Sequence, residues 1–489
     1  MRLIKNARMH YLEVDHNPGL LMPLNRIPYL SALALLFFTH LNWSQLQPLK
    51  VSDDGRYLTT TDGQPFFWLG DTAWELFHRT NKQEAESYFR KRAEQGFNVI
   101  QAVALAELDV LNVPNRNGDL PLHNGDPTQP NDAYFQYIDT LIDMAATHGL
   151  YIALLPTWGD KVFKDSWGVG PEIFNPENAR IYGQWIGSRY RNRTNIIWVA
   201  GGDRNPREGS QDVAVWQAMA AGVAEGAGGN SRALMTFHPQ PEHIEASSSK
   251  WFHEDDWLDM NMLQTGHCDD TPVWQRMEAD WKRLPVKPFL NGEAIYEAMP
   301  VCFDAANLGY ASAWDVRRAA YQSVFAGACG HTYGSASVIF FSEKGEHFFS
   351  DLYNWQESLD LPAANQLHYL KALMESRPAQ GRMPDQSLLA NEGNNAFDHI
   401  SAIRGDGYAF FYTAHGLPIT VNMGKISGKK IQATWFDPRT GKATVIGVFD
   451  NKGWQTFAPP YTWSPVPDHR IDLVLVLDDV DTNYKVPGL

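Results

Sequence analysis

Eight short apolar runs alternate with segments of helical periodicity along most of the chain, and this alternation limits the possible folds more than any other feature. The runs cover residues 66–69, 98–103, 151–155, 196–200, 234–237, 260–264, 288–290 and 331–333. Helical periodicity marks 83–95, 133–147, 176–190, 212–224, 273–284 and 315–326, and a further segment, 363–374, follows the last run. Only the gap between the fifth and sixth runs lacks a clear helix. Strand–helix alternation of this length predicts an α/β fold, a (β/α)₈ barrel. Gly96 and Gly149 end helices just before strands, where left-handed caps are expected. Residues 50–60 read as a hairpin closing the barrel floor, with Asp53-Asp54-Gly55 as its turn.

Beyond about residue 385 the helical period is lost. Strand-like stretches at 409–412, 420–422, 432–436, 443–445 and 472–477, separated by turn residues, predict a C-terminal all-β sandwich. Three regions follow: an N-terminal extension (1–48), a catalytic barrel (49–384) and the sandwich (385–489). Within the extension, residues 27–38 form an apolar run too short to span a bilayer but of signal-peptide length. Arg26 precedes it, and Met22 would make a natural start. The expectation is an exported protein, periplasmic or secreted, whose mature chain does not insert in a membrane.

A net charge of −15 argues against nucleic-acid binding, which requires a basic footprint. Cys268, Cys302 and Cys329 are too scattered for a zinc site or a disulfide framework. They read as buried thiols, with a Cys268–Cys302 bridge as the alternative. No helix carries a His-x-x-x-His pair, and no glycine-rich loop carries the lysine of a phosphate site. The chain is therefore read as needing neither metal nor cofactor.

Barrel chemistry sits at the C-terminal ends of strands. The residues reached there are Asp71 and Trp74 (strand 1), Gln101 with Glu107 and Asp109 beyond it (strand 2), and Trp158 (strand 3). Asp203 follows strand 4, His238 strand 5, Gln264 and His267 strand 6, Glu293 strand 7, and His331 and Tyr333 lie on strand 8. Carboxylates, amides, imidazoles and indoles gathered at one end form the inventory of a sugar site, and the 17 tryptophans in the chain suit stacking on sugar rings. Asp203 and Glu293 lie on strands facing each other across a barrel mouth. One would protonate a leaving oxygen and the other attack the anomeric carbon, which requires carboxyls about 5–5.5 Å apart. Glu297 is the rival carboxylate, and pairing of Asp203 with Arg204 is the structural alternative.

At these residues the sequence resembles the apiosidase-like glycoside hydrolases, glycoside hydrolase family 140, many of which join the catalytic domain to one labelled collagen-binding. The matching stretches include Trp68-Leu69-Gly70-Asp71-Thr72-Ala73-Trp74-Glu75, Pro156-Thr157-Trp158-Gly159-Asp160-Lys161, Ala200-Gly201-Gly202-Asp203-Arg204-Asn205-Pro206, Gln264-Thr265-Gly266-His267 and Gly292-Glu293 with Tyr296-Glu297. The resemblance implies a retaining glycosidase, with Asp203 as acid/base and Glu293 as nucleophile, releasing apiose from pectic rhamnogalacturonan-II. Asp71, Trp74, Gln101, Trp158, His238, Gln264, His267, Glu297, His331 and Tyr333 are then expected to contact an oligo- or polysaccharide. Ala294 stands where the commoner family form has proline after Gly-Glu. Two alternatives are a related retaining glycosidase of other sugar specificity and a non-catalytic carbohydrate- or matrix-binding protein. The oligomeric state is left open.

Overall fold

The computed structural model describes residues 46–165, 168–241, 247–346, 348–393, 395–460 and 471–487. The apolar run of the N-terminal extension lies outside them. Three short antiparallel strands come first: β1 (Leu49–Val51), β2 (Leu58–Thr60) and β3 (Pro65–Phe66). Gly55, at φ 72°, turns the expected hairpin and lies against Val286, just before a barrel strand, so the hairpin does cover the floor.

The barrel strands are β4 (Trp68–Thr72), β5 (Val99–Leu105), β6 (Tyr151–Thr157), β7 (Ile196–Gly201), β8 (Met235–His238), β9 (Asn261–Gln264), β10 (Phe289–Glu293) and β11 (Gly330–Tyr333). They pair in parallel in the order β8-β7-β6-β5-β4-β11-β10-β9. β5 and β6 are buried along their whole length, as parallel strands covered on both faces must be. The seam between β8 and β9 is closed largely by side chains. Thr236 Oγ1–H donates to the Met260 carbonyl (2.8 Å), and the Met235 N–H donates to Asp259 Oδ2 (2.8 Å). Among the described residues, the helix between these strands is the one-turn Ser249–Phe252, in keeping with the gap in the sequence pattern.

Side chains alternate across the barrel wall. Trp68 faces inward and donates Nε1–H to Thr332 Oγ1 (3.0 Å), while Leu69 packs outward against the helices Ala313–Phe325 and Leu367–Glu375. Gly96 (φ 84°) and Gly149 (φ 75°) take the left-handed caps expected of them.

The remaining strands are β12 (Met383–Pro384), β13 (Ile400–Gly405), β14 (Tyr408–Thr413), β15 (Ile419–Met423), β16 (Lys430–Phe436), β17 (Ala443–Asp450), β18 (Gly453–Phe457) and β19 (Leu473–Asp479). Six form an antiparallel sheet in the order β12-β13-β14-β19-β16-β17, and β15 pairs with β18 to make the opposing layer. Ala409, Phe411, Leu475 and Leu477 fill the space between the layers. Tyr408, Phe410, Tyr412, Val474 and Val476, on the other face, pack against the barrel helix Ala313–Phe325. A buried bidentate pair from Arg317 to Asp472 (2.9 and 2.7 Å) and a Trp314 Nε1–H bond to the Ala414 carbonyl (2.8 Å) fix this contact.

Candidate active site

The end of β7 is wound into three successive left-handed residues: Gly201 (φ 87°), Gly202 (φ 121°) and Asp203 (φ 51°). A Cβ at Gly201 would collide with the His238 carbonyl, and one at Gly202 would lie 2.9 Å from the Gly159 nitrogen and the Trp158 ring, so only glycine fits. The turn points the Asp203 N–H at His238 Nδ1 (3.3 Å). Because Nδ1 accepts, the ring N–H is on Nε2, which lies 3.1 Å from Glu293 Oε2. His267 Nε2 lies 3.1 Å from the other oxygen, Oε1. The Asp203 side chain is 20% exposed, with Arg204 Nη1 3.3 Å from Oδ2. The pairing read from sequence as a structural alternative is therefore present at the cleft itself.

Glu293 reaches the mouth through an irregularity in β10. Asn291 pairs with Leu263 and Glu293 with Gln264, so two steps along β10 match one along β9. Asn291 points outward, donating to Thr265 Oγ1 (3.0 Å) and to Ser323 Oγ (3.1 Å) on a surrounding helix. In a regular strand Glu293, two residues on, would point the same way, and the bulge turns it to the mouth instead. Gly292 sits in the bulge, tight against Met262, and its carbonyl accepts a bond from Gln101 Nε2 (2.9 Å). Gln101 thus supports the bulge from inside the barrel.

Above these residues opens a cavity of about 590 Å³, lined by Trp74, Trp158, Asp203, Gln264, His267 and Glu293 among the residues expected there. His238 lies directly beneath, in contact with both carboxylate-bearing residues. A second cavity, about 510 Å³, is at the opposite end of the barrel beside Arg56, Phe66 and Trp281. It holds none of the strand-end carboxylates.

Four expected contacts lie elsewhere. Asp71 faces outward, its Oδ2 accepting from the Tyr88 hydroxyl and Arg92 Nε, each at 2.6 Å. Tyr333 also faces outward and donates its hydroxyl to Glu297 Oε2 (2.8 Å), while Glu297 accepts the Ala363 N–H (3.0 Å). His331, on the same strand, is fully buried, and burial lowers its pKa to about 3. Asp71, Tyr333 and Glu297 tie the wall to the elements outside it. Side-chain alternation is the physical reason for the correction: Asp71, His331 and Tyr333 occupy the outward positions of their strands. Glu297, four residues beyond Glu293, has been carried by the loop to the wall's outer side and cannot serve as the rival carboxylate.

Three residues with a part in the site were not among the substrate contacts expected from the sequence, although Glu107 is reached there as the continuation of strand 2. Glu107, just beyond β5, lines the cavity; burial, then the charges of Glu75, Asp203 and Asp160, push its pKa well above the ordinary value. Glu75, buried behind it, accepts the Leu108 N–H (3.1 Å), and burial raises its pKa to about 7. Tyr296 lines the cavity with its ring 4.6 Å from that of His267. Its phenol is pushed well above the ordinary value by burial and by the charge of Glu293. Glu107 follows an apolar run and Tyr296 comes three residues after Glu293, so position along the chain carried the signal. Burial alone would raise the Glu293 pKa, but the two imidazoles reverse that and hold it well below the usual carboxylate range. The site thus pushes the pKa values of two carboxyls apart within a single cleft, an arrangement suited to acid–base work.

The cysteines also correct the sequence reading. Cys268 and Cys302 are bonded, joining the loops after β9 and β10, while Cys329 is a buried free thiol.

A parallel eight-stranded barrel with paired carboxylates, imidazoles and indoles at the C-terminal mouth places the protein among the glycoside hydrolases. Residues 52–380 match the family model described as "Apiosidase-like, catalytic domain", and the chain belongs to that family. Residues 383–478 match the model described as "Putative collagen-binding domain of a collagenase". A solved structure titled "Glycoside hydrolase" is 34% identical, with a TM-score of 0.80 over 90% of this chain and 98% of that one. A structure from Bacteroides vulgatus, titled as a glycoside hydrolase of family 5, is 32% identical, with a TM-score of 0.81 over 90% and 95% of the two chains. Comparison with curated proteins gave no match.

Proposed function

We propose that the protein is a retaining glycosidase releasing apiosyl residues from pectic rhamnogalacturonan-II. The observation that carries the reading is Glu293, a buried carboxylate held ionised between His238 and His267 at the mouth of a sugar-sized cleft. A nucleophile needs that state. In the first step a Glu293 oxygen bonds to the anomeric carbon, the bond from that carbon to the leaving oxygen breaks, and Asp203 gives its proton to that oxygen. In the second step Asp203, now a base, takes a proton from water, whose oxygen displaces Glu293 and gives the free sugar with retained configuration. Trp74 and Trp158, with centroids 5.0 Å apart, form an indole wall for the ring face, and Gln264 offers an amide to its hydroxyls.

The apiosyl specificity rests on family membership, and export rests on the apolar run of the extension. Among the described residues no helix is long and apolar enough to cross a membrane. The test is digestion of rhamnogalacturonan-II fragments, with the released sugar identified and its first-formed anomer followed by NMR. Free apiose of retained configuration is expected. An inverted product would reject the double displacement, and release of another sugar would reject the specificity.

A further inference from the structure

The cleft is chemically two-sided. Its floor presents Asp203, Glu107, Glu293, Gln264 and His267, groups that bind hydroxyls. Its rim is built from four phenylalanines: Phe303 on the loop after β10, and Phe340, Phe348 and Phe349 on the loop after β11. Phe340 lies 5.0 Å from Phe348 and 5.5 Å from Phe349, and Phe349 reaches Phe303 at 5.8 Å, centroid to centroid. Two loops therefore form one aromatic belt. Phe303 is 62% exposed and Phe349 37%, a cost that apolar surface beside a cleft repays only when something covers it.

The belt is fixed relative to the reacting centre. Phe303 follows Cys302, whose disulfide partner Cys268 follows His267. The Cys302 N–H donates to the His267 carbonyl (2.9 Å), and the Phe303 ring meets the His267 ring edge-on at 5.5 Å. His267 in turn lies against Glu293. The aromatic rim and the ionised carboxylate thus share one imidazole.

We infer that the rim is a leaving-group subsite for an aromatic aglycone, which makes phenolic and benzylic glycosides a substrate class of this enzyme. The inference rests on the glycosidase reading. The sugar occupies the polar floor, and the aglycone points outward, where it meets Phe303 and Phe349. An aromatic ring gives these side chains faces and edges to pack on all round, whereas a sugar at the same place, as in a rhamnogalacturonan-II chain, would pack only the C–H face of its ring and turn its hydroxyls to water. On cleavage the bond between the anomeric carbon and the aglycone oxygen breaks. The Asp203 proton goes to that oxygen, the aglycone leaves as its alcohol or phenol, and water supplies the hydroxyl of the freed sugar.

Three synthetic apiosides, benzyl, cyclohexylmethyl and methyl, test this because their leaving alcohols are of similar acidity and differ mainly in what they offer the rim. Binding to the Glu293→Gln protein is read by calorimetry, and hydrolysis by the unaltered enzyme. Benzyl apioside should bind about tenfold more tightly than methyl apioside, and Phe303→Ala should largely abolish that preference. Phe303 is so exposed that its loss should leave the fold intact, which thermal unfolding would verify. Equal binding of all three would overturn the subsite, and cyclohexylmethyl binding as well as benzyl would overturn its aromatic character. Hydrolysis without any binding preference defeats the subsite and leaves the glycosidase standing. A benzyl preference without hydrolysis of any apioside supports the subsite while defeating the proposed activity.

Discussion

The imidazole Nε2 of His238 lies 3.1 Å from Oε2 of Glu293, while Nδ1 of the same ring accepts the backbone N–H of Asp203. One buried side chain therefore spans the two residues proposed to carry the reaction. It fixes the turn that aims Asp203 and stabilises the charge on Glu293.

Removing the other imidazole tests the charge. His267 stabilises ionised Glu293, so His267→Ala should raise the Glu293 pKa. The acidic limb of the kcat/KM profile should move to higher pH by about one unit, and kcat/KM at its optimum should fall about 10–100-fold. A limb that stays in place would separate Glu293 from the rate-determining ionisation.

The two proposed roles are distinguishable with azide. On an aryl apioside with a good leaving group, Asp203→Ala should largely keep the first step, and azide should then intercept the glycosyl-enzyme to give a glycosyl azide of retained configuration. Glu293→Ala should lose the first step, and azide taking its place should give the inverted product. Product configurations by NMR decide the matter, and exchanged outcomes would reverse the roles.

Burial and the neighbouring carboxylates push the Glu107 pKa well above the ordinary value, and the residue lines the cleft, so its expected part is to donate a hydrogen bond. Glu107→Gln preserves a neutral donor and should cost kcat/KM less than about tenfold. Glu107→Ala, which removes the donor, should cost about 10–100-fold. If Glu107→Gln instead abolished activity on a poor leaving group but spared an aryl apioside, Glu107 would be the proton donor.

Glu75 gives a stability test with a definite sign. Its folded pKa of about 7 lies above the ordinary glutamate value of 4.5, so its stabilising contribution is full below about pH 4.5 and is lost as pH rises through 7. Glu75→Gln keeps an acceptor for the Leu108 N–H and removes the ionisation. Denaturant unfolding should show the wild type losing up to about 3 kcal/mol more than the variant between pH 4.5 and 8. Parallel curves would show that Glu75 does not titrate in that range.

The barrel and the sandwich were legible because both announce themselves by period. Strands buried on both faces read as unbroken apolar runs, as 151–155 does in the barrel and 473–477 in the sandwich, whose sheet is covered by the barrel helices on one side and by its own second layer on the other. Asp203, Glu293, Trp74, Trp158, Gln264 and His267 were found at the mouth because residues just past a strand end have few other places to go. Asp71, His331 and Tyr333 were misplaced because strand position says how far along the barrel a residue lies, whereas side-chain direction depends on register. The phenylalanine rim carried no sequence signal, since its members come from two loops after different strands and are joined only in space. The Cys268–Cys302 bridge was similarly obscured, because 34 residues of chain separate two loops that the barrel brings side by side.

The single extra residue in β10 gives the proposed chemistry an unusual dependence on counting. Straightening the bulge, so that Gly292 rather than Glu293 paired with Gln264, would leave every strand, the sandwich and Glu293 itself in the chain, yet turn that carboxyl to the side on which Asn291 now meets Ser323. A descendant lineage could thus fall silent through a change that straightens one strand, while its composition, family match and fold stayed almost untouched. Inventories of residues alone would still count it as an enzyme.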